Sequence, residues 1–205
     1  MLQYHTVEPA TLDLLKKISA IPSFSSHRLV GGTSLALQFG HRLSVDLDFF
    51  STDQIDHEEI LINLKPLGKI EIVSRSKFIN SFFINDIKVD FVSLPYQWLE
   101  EPMIEDSIRL AGRKDIAAMK LSAITNRGSK KDFIDIGLLI EQLGLTQMLT
   151  LYRQKYPDGM EMMVLRSLVY FQDAEDQSDP VMLIPYNWEE VKKLILNETK
   201  KYLAE

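Results

Sequence analysis

Two aspartates separated by one residue within an alternating stretch constrain this chain more than any other feature. Ser44-Val45-Asp46-Leu47-Asp48-Phe49-Phe50 alternates polar and apolar residues. Successive strand side chains point to opposite faces. Val45, Leu47 and Phe49 are therefore expected on a buried face, with Ser44, Asp46 and Asp48 on the other. Two carboxylates side by side repel each other and resist desolvation, so a strand that keeps them calls for a counter-charge. A divalent cation such as Mg²⁺ or Mn²⁺ is a natural candidate, because hard cations take oxygen ligands and usually keep substrate phosphates as well. A lone D-x-D also arises in solvent-facing strands, calcium loops and helix caps. Its neighbours have to decide.

Upstream stands Gly31-Gly32-Thr33-Ser34, expected to form a tight turn leading into a helix from Leu35 to Phe39. The N–H groups and positive dipole end of a helix N-terminus suit phosphate, which makes Gly32, Thr33, Ser34 and the following Arg42 candidate nucleotide-binding residues. Downstream, Ile87-Lys88-Val89-Asp90-Phe91-Val92 alternates again. Ile87, Val89 and Phe91 make one face and Asp90 stands on the other. If this strand lies beside the first, Asp90 becomes a third carboxylate in the same place; otherwise it is an exposed strand acid.

The remaining pattern describes a mixed first lobe and a helical second one. An amphipathic helix is expected over Glu8 to Ile21, broken by Pro22, and a short strand over His27 to Gly31. A helix capped by Asp53 or Asp56 covers Asp53 to Leu67. Strands follow over Lys69 to Ser74, Phe78 to Ile84 and Ile87 to Leu94, with Asn85-Asp86 as a hairpin turn. Residues 96–99 suggest a turn of helix and 104–110 an edge strand. From Asp115 onward the pattern is helical, with an acidic loop over Asp173 to Pro180. The expected division is 1–112 for an α/β lobe and 113–205 for a helical lobe that completes an active-site cleft.

The helical part carries a second cluster, Lys120-Leu-Ser-Ala-Ile-Thr-Asn-Arg127-Gly-Ser-Lys130-Lys131-Asp132-Phe-Ile-Asp135. Lys120 and Arg127, seven residues apart, share a face of a continuous helix, as Asp132 and Asp135 do at i, i+3. Such spacings often make surface ion pairs of little energetic weight. Against this stands density: Arg109, Arg113, Lys114, Lys120, Arg127, Lys130 and Lys131 form a basic tract, which a triphosphate or a nucleic-acid backbone would call for. His41 and the methionines Met160, Met162 and Met163 read as structural.

Gly-Gly-Thr-Ser followed by Arg42-Leu-Ser-Val-Asp46-Leu-Asp48-Phe resembles the signature of the polymerase-β-like nucleotidyltransferase superfamily. Within it, the chain most resembles the AbiEii/AbiGii toxin family of bacterial toxin–antitoxin systems. The pattern K-x-x-A-x-x-x-R-x-x-x-K-D, on Lys120, Ala123, Arg127, Lys131 and Asp132, is similar to further motifs of that family, with Asp135 following. The likeness covers roughly residues 28 to 140. It implies an α+β fold with a mixed twisted sheet, and an enzyme that moves a nucleotide from an NTP to an acceptor hydroxyl. It also implies Asp46, Asp48 and Asp90 as metal ligands, Lys120, Arg127 and Lys131 as phosphate contacts, and Asp132 as a catalytic acid. An RNA acceptor, the tRNA 3′ end, and a separate antitoxin protein are the implied partners.

Composition narrows the context. The chain has 205 residues, 45% hydrophobic and 25% charged, no cysteine and a formal charge of −6. Disulfides and thiolate metal sites are excluded, which fits a reducing cytoplasm, the expected location. There is no signal-peptide pattern and no apolar run long enough to span a bilayer, so no membrane partner is expected. An acidic protein does not attract nucleic acid as a whole, and any such contact must be local. Transfer to a small molecule or a protein side chain is the nearest rival reading. An idle relative that only binds nucleotide or a partner is another.

Overall fold

The computed structural model describes residues 1–54 and 56–204. They form two compact units, Met1–Gln97 with Glu101–Ala111, and Trp98–Glu100 with the chain from Gly112 onward.

The first unit is built on a seven-stranded mixed sheet. Its strands are β1 (Arg28–Leu29), β2 (Leu47–Ser51), β3 (Ile70–Arg75), β4 (Ile79–Ile84), β5 (Ile87–Ser93), β6 (Met103–Glu105) and β7 (Ile108–Leu110), in the spatial order β3-β4-β5-β2-β1-β7-β6. β2 and β5 run parallel, as do β1 and β7; the other neighbours are antiparallel. Among the described residues, three α-helices belong to this unit: α1 (Pro9–Ser19), α2 (Gly31–Phe39) and α3 (His57–Leu64). Leu47, Phe49, Phe82, Val89 and Phe91 form a buried cluster with Leu15 and Ile18 of α1 and Ile60 and Leu64 of α3. Period-2 alternation in the strands thus meets period-3.6 alternation in the helices, leaving the other strand face for polar residues.

Several expectations need correction. β2 begins at Leu47, and Val45 is 57% exposed. The ladder with β5 starts at Leu47↔Val89, so the residues before Leu47 have no partner strand to fix their alternation. Gly31 and Gly32 are the first turn of α2 itself, not a turn ahead of it. Asp56, not Asp53, caps α3, its carboxylate accepting the Glu58 N–H at 2.9 Å. Ile55, part of the expected helix from Asp53, lies outside the described residues, as does Glu205. Residues 96–99 form no helix. The stretch 104–110 is a hairpin turning at Asp106-Ser107, both with positive φ (50° and 65°), the geometry of a tight two-residue turn. Its second strand, β7, is covered by β1, and β6 is the edge.

The second unit contains α4 (Arg113–Ile124), α5 (Lys130–Leu143), α6 (Leu145–Lys155), α7 (Glu161–Leu168), the single turn α8 (Gln172–Glu175) and α9 (Trp188–Ala204). α4 packs on α5, α6 and α7, and α9 on α5, α6 and α7. Gly137 lets α9 approach: a Cβ there would stand 3.1 Å from Val191 Cγ1. α8 occupies part of the expected acidic loop. No single helix among the described residues is long and apolar enough to cross a membrane.

Buried His27 gives the first unit a pH dependence. It is 3% exposed, packed edge-on against Phe24 and Phe91, and neither ring nitrogen has a hydrogen-bond partner. Burial drives its pKa down from 6.5 to about 4, opposed by the charge of Asp53 and helped by Arg109. The folded state therefore holds His27 neutral where the unfolded chain would protonate it. Stability is full above pH ~6.5 and falls as the pH drops towards ~4, by about 3 kcal/mol if the whole shift is realised. His27→Leu should flatten that part of the curve, read from urea midpoints at pH 7, 5 and 4. An unchanged slope would assign the acid sensitivity to other groups.

Candidate active site

The site in the first unit is set by one ladder. The parallel register pairs Asp48 with Asp90, between Leu47↔Val89 and Phe49↔Phe91. Directly paired residues project from the same face, so the two carboxylates leave the sheet side by side, opposite the buried apolar set. In the antiparallel ladder beyond, Ser81 stands against Asp90. Asp46 lies just before β2, and its backbone carbonyl is within hydrogen-bond reach of the Thr33 hydroxyl, which also lies 2.8 Å from Ser44 Oγ. That pair of contacts ties the first turn of α2 to the entry of β2.

Gly31 and Gly32 are required by close approach. Gly31 has φ +67°, and a Cβ there would sit 2.6 Å from Asp48 Oδ2; at Gly32 it would sit 2.2 Å from an Arg42 guanidinium nitrogen. A side chain at either place would displace a charged group, and Gly31 would be strained as well. The helix start is thus packed against Asp48 on one side and Arg42 on the other. Thr33, Ser34 and Arg42 are buried, and Arg42 Nη1 donates to the Leu43 carbonyl at 3.0 Å. Gln38 Nε2 lies 3.3 Å from Ser34 Oγ. With both hydroxyls turned inward, the backbone N–H groups of the first turn are what this segment can offer an anion.

Lys88, two residues before Asp90 on the same strand face, joins the carboxylates. Its Nζ donates to Asp90 Oδ2 at 2.9 Å. The hydrogen bond to Asp90 raises the Lys88 pKa most; desolvation opposes it, and the negative charges of Asp90, Asp46 and Asp48 add to the rise. All three carboxylates therefore act on one ammonium. Asp90 Oδ1 is buried without a hydrogen-bond partner, an acceptor left open in a site of hard oxygen donors. Those donors fit Mg²⁺ or Mn²⁺ chemically. Among the described residues, no three acidic, histidine or cysteine side chains already stand assembled around one metal position.

The second unit holds its own cluster. Lys120 Nζ lies 2.9 Å from Asp132 Oδ1 and 2.6 Å from Asp135 Oδ2. Arg127 Nε donates to Asp132 Oδ2 at 3.0 Å, and the Ser129 hydroxyl donates to the same oxygen. Both acids are fully buried, while the Arg127 side chain is 62% exposed. Burial would push the Asp132 carboxyl up, but Lys120, Arg127 and Ser129 together hold it down at about 2. Two cations and two anions balance, the condition under which buried charges persist.

A carboxylate pair beside a glycine-started helix, followed by a Lys–Arg–Asp–Asp cluster, meets its match in comparison with known proteins. The family model for the nucleotidyl transferase AbiEii toxin of type IV toxin–antitoxin systems matches residues 13–201. This chain belongs to that family. It is an NTP-dependent nucleotidyltransferase of α+β, polymerase-β-like fold. An uncharacterized protein of Aquifex aeolicus, aq_aa25, is 35% identical over 197 residues, covering 93% of this chain and 95% of that one. MenT4, a nucleotidyltransferase toxin of Mycobacterium tuberculosis H37Rv, shares the fold with a TM-score of 0.58. The two are 15% identical, with 94% of this chain and 84% of that one covered. JHP933 from Helicobacter pylori is similar with a TM-score of 0.56 and 19% identity, over 100% and 96% of the two chains.

For an AbiEii-family member, the sequence reading missed Lys88. The signal was available as K-x-D on one strand face, but a lysine there reads as an ordinary solvated residue. The basic tract, in contrast, is split: Arg113, Lys114, Arg127 and Lys131 are exposed, while Lys120 and Lys130 are buried. Arg109 donates to the Ser19 carbonyl at 2.9 Å, Lys130 is buried against Asp179 at 3.1 Å, and Lys114 pairs with Glu100 at 3.7 Å.

Proposed function

We propose that this toxin-family nucleotidyltransferase moves a nucleotide from an NTP to a hydroxyl at the 3′ end of an RNA, with tRNA as acceptor. We further propose that Asp46, Asp48 and Asp90 hold Mg²⁺ or Mn²⁺ for that step. The observation that carries this reading is the Asp48–Asp90 pair, in register beside the glycine-started helix, with Asp90 Oδ1 left open. When bound, the cation would offset the charge of the triphosphate and acidify the attacking hydroxyl. The chain's own part is positional. The first-turn N–H groups at Gly32 and Thr33, with Arg42, would hold phosphate oxygens, and Ser34, whose own N–H bonds the Val30 carbonyl at 3.3 Å, would hold the turn behind them. Asp90, by helping to hold the cation, would help activate the acceptor hydroxyl, which would take the nucleotide as pyrophosphate leaves. Lys120, Arg127 and Lys131 are the proposed further phosphate contacts, and Asp132 would keep Lys120 and Arg127 placed. A separately encoded antitoxin would oppose the activity.

One observation favours the rival acceptor. With a net charge of −6 and Arg109, Lys120 and Lys130 engaged inside the protein, a small-molecule or protein hydroxyl would need no extended cationic surface. Retention of the Asp46, Asp48 and Asp90 set speaks against an idle relative. The deciding experiment incubates purified protein with tRNA and each labelled NTP in turn, with Mg²⁺ or Mn²⁺, across a salt series. Label should appear on tRNA, and acceptor affinity should fall steeply between about 50 and 200 mM salt. Absence of label on tRNA, or affinity indifferent to salt, would transfer the proposal to a small or protein acceptor.

A further inference from the structure

We infer that Lys88 is a positioning residue that acts through Asp90, occupying part of the charge that a divalent cation takes over when it binds. The inference rests on the metal reading above. β5 presents Lys88 and Asp90 on one face at the two-residue strand repeat, and the Lys88 ammonium grips a single oxygen, Oδ2, at 2.9 Å. That leaves Oδ1 buried and unpartnered. A carboxylate tied at one oxygen has a fixed rotamer. One with its other oxygen dehydrated and open is costly until a ligand fills it. The two facts together describe an acid oriented in advance for a ligand.

Charge gives Lys88 its second effect. Three carboxylates act on this one ammonium. In the metal-free protein Lys88 cancels one of three negative charges, which lets Asp48 and Asp90 stay in register against their repulsion. The same positive charge opposes an arriving cation. Lys88 therefore sets metal affinity below what the three acids would reach alone, in exchange for an Asp90 that is already aimed. Its side chain is 39% exposed, so it has room to swing aside while remaining in the site.

The test compares wild type, Lys88→Met and Lys88→Arg as full-length proteins, with Mn²⁺ binding followed by titration calorimetry and by the metal's electron paramagnetic resonance. Circular dichroism checks the fold of each. Lys88→Met should bind Mn²⁺ at least about ten-fold tighter, because one nearby positive charge is gone. It should transfer nucleotide more slowly through kcat, with the KM for NTP little changed. Lys88→Arg, which keeps the charge, should restore the wild-type Mn²⁺ affinity. Unchanged or weaker Mn²⁺ binding by Lys88→Met, with wild type binding normally, would overturn the role of Lys88 and leave the metal reading intact. A wild type that binds no Mn²⁺ would overturn both.

Discussion

Asp48→Asn should lose nucleotide transfer by at least about a thousand-fold while keeping its fold. Asparagine preserves the size of the side chain, so the Gly31 contact and the ladder with Asp90 stay sterically satisfied. What goes is one negative charge in a set of three. Without metal, the protein should stay folded with a melting temperature close to that of wild type, because the repulsion relieved offsets the contacts that the Asp48 charge makes and Lys88 still neutralises Asp90. With Mn²⁺, the stabilisation seen for wild type should shrink. This combination separates the proposed role from a structural one: a structural aspartate would lose stability and activity together. Transfer at the wild-type rate would remove Asp48 from the metal set and with it the proposed chemistry.

The carboxylate face was legible because it depends on local alternation and one correct neighbour. Asp48 and Asp90 each sit between apolar residues at period 2, and β2 and β5 do pair. Where alternation alone was used, it overreached. Val45 continues the pattern in sequence, yet the strand starts at Leu47, where pairing with β5 begins. Gly31-Gly32 was read as a turn on the intrinsic preference of glycine, while the deciding fact is long-range: the Asp48 and Arg42 side chains occupy the space where Cβ atoms would be. Asn85-Asp86 announced its hairpin; Asp106-Ser107 did not, because serine is a weaker signal for positive φ. The basic tract was legible only in part for a related reason. Closeness along the chain says nothing about which carbonyl or carboxylate each cation will meet, and Arg109, Lys120 and Lys130 each found a different partner. Lys88 was hidden by its ordinariness.

The second large effect concerns stability and could not be read from sequence at all, because its partners are 40 residues apart. Asp115 and Lys155 are both fully buried, with Nζ and Oδ1 separated by 2.7 Å. Asp115 also accepts the Leu99 N–H at 3.0 and 3.1 Å and the Glu100 N–H at 3.3 Å, and the Lys155 ammonium lies 4.6 Å from the centre of the Trp98 ring. Trp98–Glu100 is thereby bound into the helical unit, although its sequence neighbours on both sides belong to the sheet unit. Asp115→Ala removes the acceptor for all of these donors and leaves an uncompensated ammonium in the interior. It should lower stability by about 3–5 kcal/mol, the usual loss when one half of a buried pair is removed. For a chain of this size that is a fall in melting temperature on the order of 10 °C. Lys155→Met should cost less than Asp115→Ala, since the carboxylate keeps its two backbone donors. The double variant Asp115→Ala with Lys155→Met should lose clearly less than the sum of the two single variants, because it buries no unpaired charge. Thermal and urea unfolding of the four proteins completes the cycle. Strictly additive losses, or an Asp115→Ala protein melting within about 2 °C of wild type, would show that the pair does not hold the 98–100 segment. The expected outcome is strong non-additivity, since the cost of either single change lies mainly in the charge it leaves behind.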